Sequence, residues 1–218
     1  TAHEIRNPIQ SILGLAEVML SNKNLDAGHI EDLVRIIIKN ANKIKILTDN
    51  ILEAARIDSH LLTLNMEEFD LVELVKDLLK DLKNQIRDKN INLILKCNEE
   101  SISLVADKLR LSQVFLNIIN NAIKVAQQEG EIIVFLERQD DNMVLVRITD
   151  NGPGIPSNLK DKIFNKFVTG STSGTGLGLY ICKNIIEKHG GKIWADNNKN
   201  KGANFNFTMP MTPKLGTQ

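Results

Sequence analysis

A heptad pattern of isoleucines constrains the fold of this chain more than any other feature of its sequence. The isoleucines recur every seven residues, at Ile30, Ile37, Ile44 and Ile51. A second position of the heptad holds Leu33, Leu47 and Ala54, and Asn40 interrupts it. This spacing places the apolar side chains in a stripe along one face of a long helix, which must be buried against other helices.

An earlier segment, which ends at Ser21, is also predicted to be an amphipathic helix. Its apolar side chains follow helical spacing: Ile5, Ile9, Ile12, Ala16, Met19 and Leu20. The polar run 22–28 separates the two segments, so a helical hairpin is predicted. Because two helices alone cannot bury two such stripes, we expect a homodimer in which two hairpins form a four-helix bundle, with Asn40 fixing the register. The alternative is that the stripes pack against the rest of the chain.

Aromatic residues, prolines and glycines divide the chain into two parts. Residues 1–68 contain none of the nine aromatic residues, no proline lies between Pro8 and Pro153, and nine of thirteen glycines fall within 152–202. Two different cores are therefore predicted: a helical part over 1–64, a second domain over 65–213, and a tail over 214–218.

The second domain alternates between helical and strand periodicity. Helices are predicted over 71–86, from Asp107 to about Gln128, and over 176–189. Strands are predicted over 91–97, 102–106, 131–137, 143–149, 192–195 and 203–209, and 64–70 is taken as a join. The expected fold class is α+β, a helical hairpin followed by an α/β sandwich with its helices on one side of the sheet.

Charge and cysteine content exclude several classes of function. The 27 basic residues balance the 27 acidic ones, so no nucleic-acid partner is expected. Cys97 and Cys182 stand alone, without metal-ligand spacing or a disulfide framework. No apolar run is long enough to cross a bilayer and no signal peptide is evident, so we expect a soluble fragment, without membrane contact, of a longer protein.

The segment His3-Glu4-Ile5-Arg6-Asn7-Pro8 is the first candidate for chemistry. On a helix His3 and Asn7 share one face, and Glu4 can orient the imidazole ring or take its proton. Neutral imidazole is a competent nucleophile near pH 7. A single histidine near the start of a helix can equally be a solvated or capping residue. The other histidines, His29, His60 and His189, are interpreted as structural.

Polar side chains also lie on one face of the helix predicted from Asp107. Asn117, Asn121 and Lys124 follow helical spacing among apolar residues. Amide oxygens are hard ligands that suit Mg²⁺, and a lysine there can contact phosphate. Helix capping or an amide network in the core is the alternative.

Two glycine-rich segments could approach a ligand closely. In the first, Asp150 ends a strand and is followed by a turn with Gly152 and Gly154, where a carboxylate can accept a hydrogen bond from an exocyclic amine such as that of adenine. A plain turn is the alternative. In the second, the run 174–179 opens a helix whose free N–H groups favour phosphate. It does not follow a strand, which argues against a dinucleotide-binding turn.

In this order, the motifs closely resemble the catalytic core of a sensor histidine kinase. Its second domain would be an ATP-binding domain of the gyrase, chaperone and mismatch-repair superfamily (GHKL or Bergerat type). His3 to Pro8 resembles the phosphoacceptor box, Asn117 to Lys124 the asparagine box, and Asp150 to Gly154 the first glycine box. Phe164 and Phe167 resemble the phenylalanine box. The second glycine box corresponds to Gly174, Thr175, Gly176, Leu177, Gly178 and Leu179.

The resemblance implies a role for individual residues. It implies that His3 accepts the γ-phosphoryl group of ATP with help from Glu4, and that Asp150 reads adenine. Asn121 would hold Mg²⁺, Lys124 would contact phosphate, and Asn117 would support the phosphate site. The phosphate would then pass to an aspartate in the receiver domain of a response regulator, and Asn7 could orient water for dephosphorylation of that regulator. The parent protein would be membrane-anchored or cytosolic, with this part in the cytoplasm.

Three positions depart from the family pattern. Val125 replaces a frequent aromatic residue, Lys166 stands where many members carry arginine, and the lid over 168–173 is short. Two other classes remain open: a conformational ATPase of the same superfamily, and a dimeric scaffold without catalytic activity.

Overall fold

The computed structural model describes residues 2–22, 25–86, 91–126, 130–140, 142–170, 174–198 and 201–212. The side chains of residues 2, 3, 84, 85 and 140 are outside this description. The first part of the chain is helical, and the second combines helices with sheets.

The first part is a hairpin of two helices, α1 (Ala2–Ser21) and α2 (Ala27–Asp58). The carboxylate of Asp26 caps α2 by accepting a hydrogen bond of 2.9 Å from the N–H of His29, and the ring of His29 contacts the same carboxylate at 2.8 Å. Midway along α2, Asn40 Nδ2 donates to Ser11 Oγ of α1 at 3.2 Å. The asparagine that interrupts the heptads therefore links the two helices of one hairpin in a defined register.

Helix α2 ends in a left-handed cap at His60. His60 has a φ of 56°, and its N–H donates to the carbonyl of Ile57 at 3.0 Å. The N–H of Leu61 donates to the carbonyl of Arg56 at 2.9 Å. This pair of bonds is the Schellman arrangement, in which glycine is the usual residue. His60 thus has a structural role at the end of the hairpin, as the sequence suggested.

The two apolar stripes of the hairpin are only partly covered. In α2, the buried residues are Leu47, Glu53, Ala54 and Ile57. Ala54 and Ile57 belong to the core of the second domain. Many other large apolar side chains of the hairpin are exposed: Ile9, Leu13, Val18, Leu20, Ile30, Ile36, Ile38, Ile46, Ile51 and Leu52. The end of α2 therefore packs against the second domain, whereas six of the ten exposed side chains lie outside the two predicted stripes.

The second part is a layered domain with helices on one face of a mixed sheet, so the predicted fold class is confirmed. The elements are β1 (Glu67–Asp70), α3 (Leu71–Gln85), β2 (Asn92–Cys97), β3 (Ser103–Ala106), α4 (Lys108–Val125), β4 (Glu131–Asp140), β5 (Met143–Asp150), α5 (Gly178–Lys188), β6 (Lys192–Asn197) and β7 (Ala203–Pro210). The sheet order is β2-β4-β5-β7-β6, and only β2 and β4 are parallel. Phe115 of α4 packs edge-on against Phe207 of β7, with ring centroids 5.5 Å apart.

Several predicted boundaries differ from the structure. The segment taken as a join contains β1, which pairs antiparallel with β3; its Glu-Glu-Phe-Asp sequence lacks the alternation that marks a strand. Helix α4 ends at Val125, and Gln127 and Gln128 lie outside the described residues. Helix α5 begins at Gly178 because Gly176 has a φ of +63°, which a right-handed helix cannot contain.

Candidate functional site

Asp150 ends β5 and points to the helix-covered face of the sheet. Only 3% of the residue is exposed. Its Oδ1 accepts hydrogen bonds from the N–H of Gly152 at 2.9 Å and the N–H of Ala203 at 3.3 Å. Burial raises the pKa of this carboxyl group, and the two backbone donors oppose that rise. The direction of the carboxyl group is therefore set by the backbone on both sides.

Two asparagines hold the turn that follows Asp150. Asn197 Oδ1 accepts from the N–H of Ile155 at 2.7 Å, and Asn197 Nδ2 donates to the carbonyl of Ile155 at 2.9 Å. Asn198 Nδ2 donates to the carbonyl of Asp150 at 3.1 Å. Neither asparagine was predicted as a site residue. Their sequence neighbourhood carries no signal for these bonds, because Asn197 and Asn198 lie more than 40 positions from Ile155 and Asp150.

The polar face of α4 lies beside the start of α5. Asn117 and Asn121 are half-buried, whereas Lys124 is exposed. The Nδ2 atom of Asn117 is buried and has no hydrogen-bond partner among the described residues. A Cβ built on Gly178 would lie 3.7 Å from Asn117 Oδ1, so this side chain faces the first turn of α5. The Asn117 side chain also acts on the buried thiol of Cys182, whose pKa it lowers, so this amide lies at the contact between α4 and α5.

The N-terminus of α5 is open to a ligand. Its N-cap residue, Leu177, supplies no side-chain hydrogen bond to the first turn, so the free N–H groups and the positive end of the helix dipole can bind an anion. Gly176 cannot be replaced without a shift of backbone, because a Cβ there would lie 2.5 Å from the carbonyl carbon of Phe167. The N–H of Phe167 donates to the carbonyl of Gly176 at 3.1 Å.

The remaining residues of the glycine and phenylalanine boxes surround this helix start. Thr175 Oγ1 accepts from the N–H of Leu177 at 3.3 Å, and Gly174 is half-buried. Phe164 packs against the core, whereas Phe167 is 58% exposed with a φ of 62°. A strained, exposed aromatic residue beside an open helix terminus is typical of a ligand site. Residues 171–173 of the predicted lid lie outside the described residues.

Polar contacts join the end of α2 to the candidate site. Lys166 Nζ pairs with Asp58 Oδ2, Tyr180 donates its hydroxyl to Asp58 Oδ1 at 2.9 Å, and Lys166 lies 4.9 Å from the centroid of the Tyr180 ring. The hydrogen bond from Lys166 is the main cause that lowers the pKa of Asp58. Nearby, Arg110 of α4 pairs with the buried Glu53 at 2.5 Å. The lysine that replaces the family's arginine thus contacts the helical hairpin.

His3 lies in the first turn of α1, and its side chain is outside the described part of the chain. Glu4 is half-buried, Asn7 is exposed, and Pro8 is buried within the helix. The backbone places Glu4 beside His3 and Asn7 one turn further along the same face, at the helical spacing that the sequence predicts. The chemistry of His3 stays a prediction.

The other candidates have structural environments. His189 Nδ1 bonds to the carbonyl of Ile185 at 2.8 Å, and His189 Nε2 accepts from the N–H of Asp107 at 3.0 Å. Burial raises the pKa of the Cys182 thiol to about 12, which keeps it protonated.

Among the described residues, no three His, Cys, Asp or Glu side chains are grouped to hold a metal. No helix in the described ranges is long and apolar enough to cross a membrane.

The second domain thus combines a helix-covered mixed sheet with an oriented aspartate and an open, glycine-rich helix start, which are features that suit a nucleotide. Comparison with known proteins extends this result. Residues 106–213 match the model of the histidine kinase-, DNA gyrase B- and HSP90-like ATPases, and residues 1–60 match that of the His Kinase A phospho-acceptor domain. The chain therefore belongs to the sensor histidine kinases, and the family and class of enzyme predicted from the sequence are confirmed.

Individual relatives agree with this assignment. The chain is 32% identical over 223 residues to the adaptive-response sensory kinase SasA of Prochlorococcus marinus strain MIT 9313, covering all of this chain and 59% of SasA. The catalytic domain of histidine kinase ThkA is 41% identical, with a TM-score of 0.64, and the match covers 68% of this chain and 97% of that domain. ThkA in complex with response regulator protein TrrA matches 99% of this chain and 61% of the ThkA chain, at 36% identity and a TM-score of 0.75. The chain spans little more than half of SasA.

Proposed function

We propose that this chain is the catalytic core of a sensor histidine kinase that transfers the γ-phosphoryl group of ATP to His3 and then to an aspartate of a response regulator. In this proposal residues 1–64 dimerise and carry the phosphoacceptor, residues 65–213 bind ATP, and 214–218 form a tail. One observation carries the proposal: the buried, oriented Asp150 and the open start of α5 lie in one chain with a helix that bears His3 and Glu4.

The nucleotide is proposed to bind between Asp150 and the start of α5. Asp150 accepts a hydrogen bond from the exocyclic amine of adenine, and the N–H groups after Gly176 bind the phosphates. The exposed Lys124 adds positive charge, and Asn117, which faces the first turn of α5, supports the phosphate site. The exposed Val125, 43% accessible, offers the base apolar contact in place of aromatic stacking.

The donor set fits a magnesium ion that is held mainly by the nucleotide. Asn121 offers a half-buried amide oxygen on the same face of α4 as Asn117, and Mg²⁺ usually combines one or two protein ligands with phosphate oxygens and water. When bound, the ion would neutralise the charge that develops on the phosphates. The described residues hold no carboxylate cluster that would compete for this role.

Phosphoryl transfer then depends on position and on the protonation state of His3. One nitrogen of the neutral imidazole attacks the γ-phosphorus as its bond to the bridging oxygen breaks and ADP leaves. Glu4 orients the ring through the other nitrogen and stabilises the positive charge that forms on it. Asn7, one turn further along α1, is proposed to orient water for dephosphorylation of the regulator. Loss of regulator dephosphorylation in Asn7→Ala, with His3 still labelled by ATP, is expected; full retention would contradict this role.

Dimerisation and the response regulator complete the proposal. The exposed apolar side chains of both helices, such as Leu13 and Ile46 at 57% and 60% exposure, support a four-helix bundle with a second copy. The ThkA–TrrA complex supports a receiver domain as the second partner. Sedimentation should show a dimer for the wild type and a smaller species for Ile46→Glu; a monomeric wild type would refute the bundle.

The first test is labelling with γ-labelled ATP and Mg²⁺, applied to the wild type and to His3→Gln. Label that stays on the wild type only, is lost in acid and survives alkali would identify phosphohistidine. Label released as free phosphate, with none kept on the protein, would favour a conformational ATPase. Absence of nucleotide binding would favour a scaffold, and either of these two results would refute the proposed kinase.

A further inference from the structure

Asn197 ties the turn after Asp150 to the neighbouring strand. Both polar atoms of its amide bond to one residue, Ile155: the oxygen accepts from the N–H at 2.7 Å and the nitrogen donates to the carbonyl at 2.9 Å. A side chain that satisfies the donor and the acceptor of one residue acts like the facing residue of an antiparallel strand. The turn is therefore closed by a side chain at the end of β6.

The contact requires glycine at position 154. Gly154 has a φ of +81°, and a Cβ there would lie 3.0 Å from Asn197 Oδ1 and 3.2 Å from the carbonyl of Gly202. The missing side chain thus allows the amide of Asn197 to approach Ile155. The adjacent Asn198 holds the other end of the turn. Its Nδ2 donates to the carbonyl of Asp150 at 3.1 Å, and its N–H donates to the carbonyl of Gly202 at 2.9 Å.

These contacts reach the residue that is proposed to recognise the base. Asp150 Oδ1 is oriented by the N–H of Gly152, which lies within the turn that Asn197 closes. If the turn opens, Gly152 is no longer held and the carboxyl group loses one of its two backbone donors. A carboxylate accepts a hydrogen bond from an amine on a base and repels a carbonyl oxygen in the same place. This discrimination holds only while the carboxylate keeps its direction, because a carboxylate that can turn away avoids the repulsion.

We infer that Asn197 is a positioning residue that holds the turn over 152–155 in its ligand-binding shape and thereby sharpens the preference for adenine over guanine. The inference rests on the proposed function, since it assumes that Asp150 faces the base. Adenine presents an amine where guanine presents a carbonyl oxygen, which a fixed carboxylate repels. Asn197 touches no ligand in this scheme and acts only through Ile155 and Gly152.

The test compares ATP and GTP binding, measured by calorimetric titration with Mg²⁺, in the whole chain and in Asn197→Ala. Loss of both hydrogen bonds lowers the population of the binding-competent turn, so we expect ATP affinity to fall, by up to roughly tenfold. GTP affinity should fall less, so that the ratio of the two affinities drops several-fold. The rate of His3 labelling at saturating ATP should be unchanged while KM for ATP rises. In Asn197→Asp, a carboxylate oxygen would face the Ile155 carbonyl, so ATP affinity should fall at least as far.

Asn204→Ala is the control, at an asparagine that is more buried than the exposed Asn197. Asn204 is a half-buried asparagine on β7 whose amide also makes two side-chain bonds, to Thr149 at 2.8 Å and Asp196 at 2.6 Å, on the opposite face of the sheet. It should lower the melting temperature without changing the ATP-to-GTP ratio, because general destabilisation reduces binding of both nucleotides equally. An unchanged ratio in Asn197→Ala would overturn the inference while leaving the kinase intact. A wild type that binds neither nucleotide would overturn the proposed function, and the inference with it.

Discussion

Acidification should weaken the ATP-binding domain through His189. This side chain is 6% exposed and joins the two helices that carry the site, because it bonds to Asp107 at the start of α4 and to Ile185 near the end of α5. Its Nε2 accepts the N–H of Asp107, so Nε2 must be unprotonated. A second proton would place two donors face to face and break this link.

The sign and size of the effect follow from linkage. Burial lowers the pKa of His189 below its ordinary value of 6.5. Well above pH 6.5 the ring is neutral in both the folded and the unfolded chain, and His189 adds no pH dependence. Between pH 6.5 and the lowered pKa the unfolded chain binds a proton that the folded chain refuses. The free energy of unfolding therefore falls as pH falls, by at most about 1.4 kcal/mol per pH unit.

The assay is urea unfolding between pH 7.5 and 5.5 at constant salt and protein concentration. The fluorescence of the single tryptophan, Trp194 on β6, reports on this domain alone. His189→Gln should lower stability at pH 7.5 by roughly 1–3 kcal/mol, since hydrogen bonds are impaired, and should reduce the pH slope. His29→Gln is the control, because His29 is exposed on the hairpin and is expected to leave the slope unchanged.

The comparison with His189→Gln also removes the contribution of carboxyl groups. The raised pKa of Asp150 acts in the opposite sense, because the folded chain then binds its proton more readily, and this term cancels in the difference between the two proteins. Equal pH slopes in the wild type and in His189→Gln would refute the reasoning. They would mean that His189 is protonated in the folded state or that its bond to Asp107 is absent.

Three further substitutions test the site and its link to the hairpin. Asp150→Asn should weaken ATP binding ten- to a hundredfold in a titration, since it removes a charge-assisted acceptor; unchanged affinity would exclude Asp150 from base recognition. Gly176→Ala should weaken ATP binding at least tenfold, because its Cβ would lie 2.5 Å from backbone of Phe167, and normal binding would show that this backbone can yield. Asp58→Asn removes the anion that Lys166 and Tyr180 share and should speed proteolysis of the linker over 61–66; an unchanged cleavage rate would show that this cluster does not hold the domain.

The sequence predicted elements best where burial imposes a single period. The heptads place α2, and alternation places β2, β3 and β5 within a few residues. Strand β1 escaped because Glu67 and Glu68 are exposed and its pairing with β3 is fixed by tertiary contact instead of pattern. The glycine boxes could be predicted because clustered glycines indicate a backbone that a ligand can approach closely. The asparagine box could be predicted because polar residues at helical spacing stand out in an apolar helix.

Contacts between distant segments left no such signature. Asn197 lies 42 positions from its partner Ile155, and Asp58 lies 108 positions from Lys166. Nothing local distinguishes these side chains from solvated ones, because a single Asn or Asp near the end of an element is usually a cap or a surface residue. Only the folded topology, which brings β6 beside the turn and α5 beside α2, reveals that they connect the site to its surroundings.

The contacts of Asp58 also bear on the path of the phosphoryl group. The bond between Asn40 and Ser11 sets the register of the hairpin, which places residue 3 level with about residue 48 of α2. Asp58 is ten residues further, about 15 Å along the helix axis, and it is there that Tyr180 holds the first turn of α5. In a two-fold symmetric bundle the partner's acceptor helix lies at the same level, so the offset is the same within a protomer and between protomers. On the proposed function, transfer from the start of α5 to His3 would require the ATP-binding domain to move along the hairpin, and we expect that motion to break the Asp58 cluster.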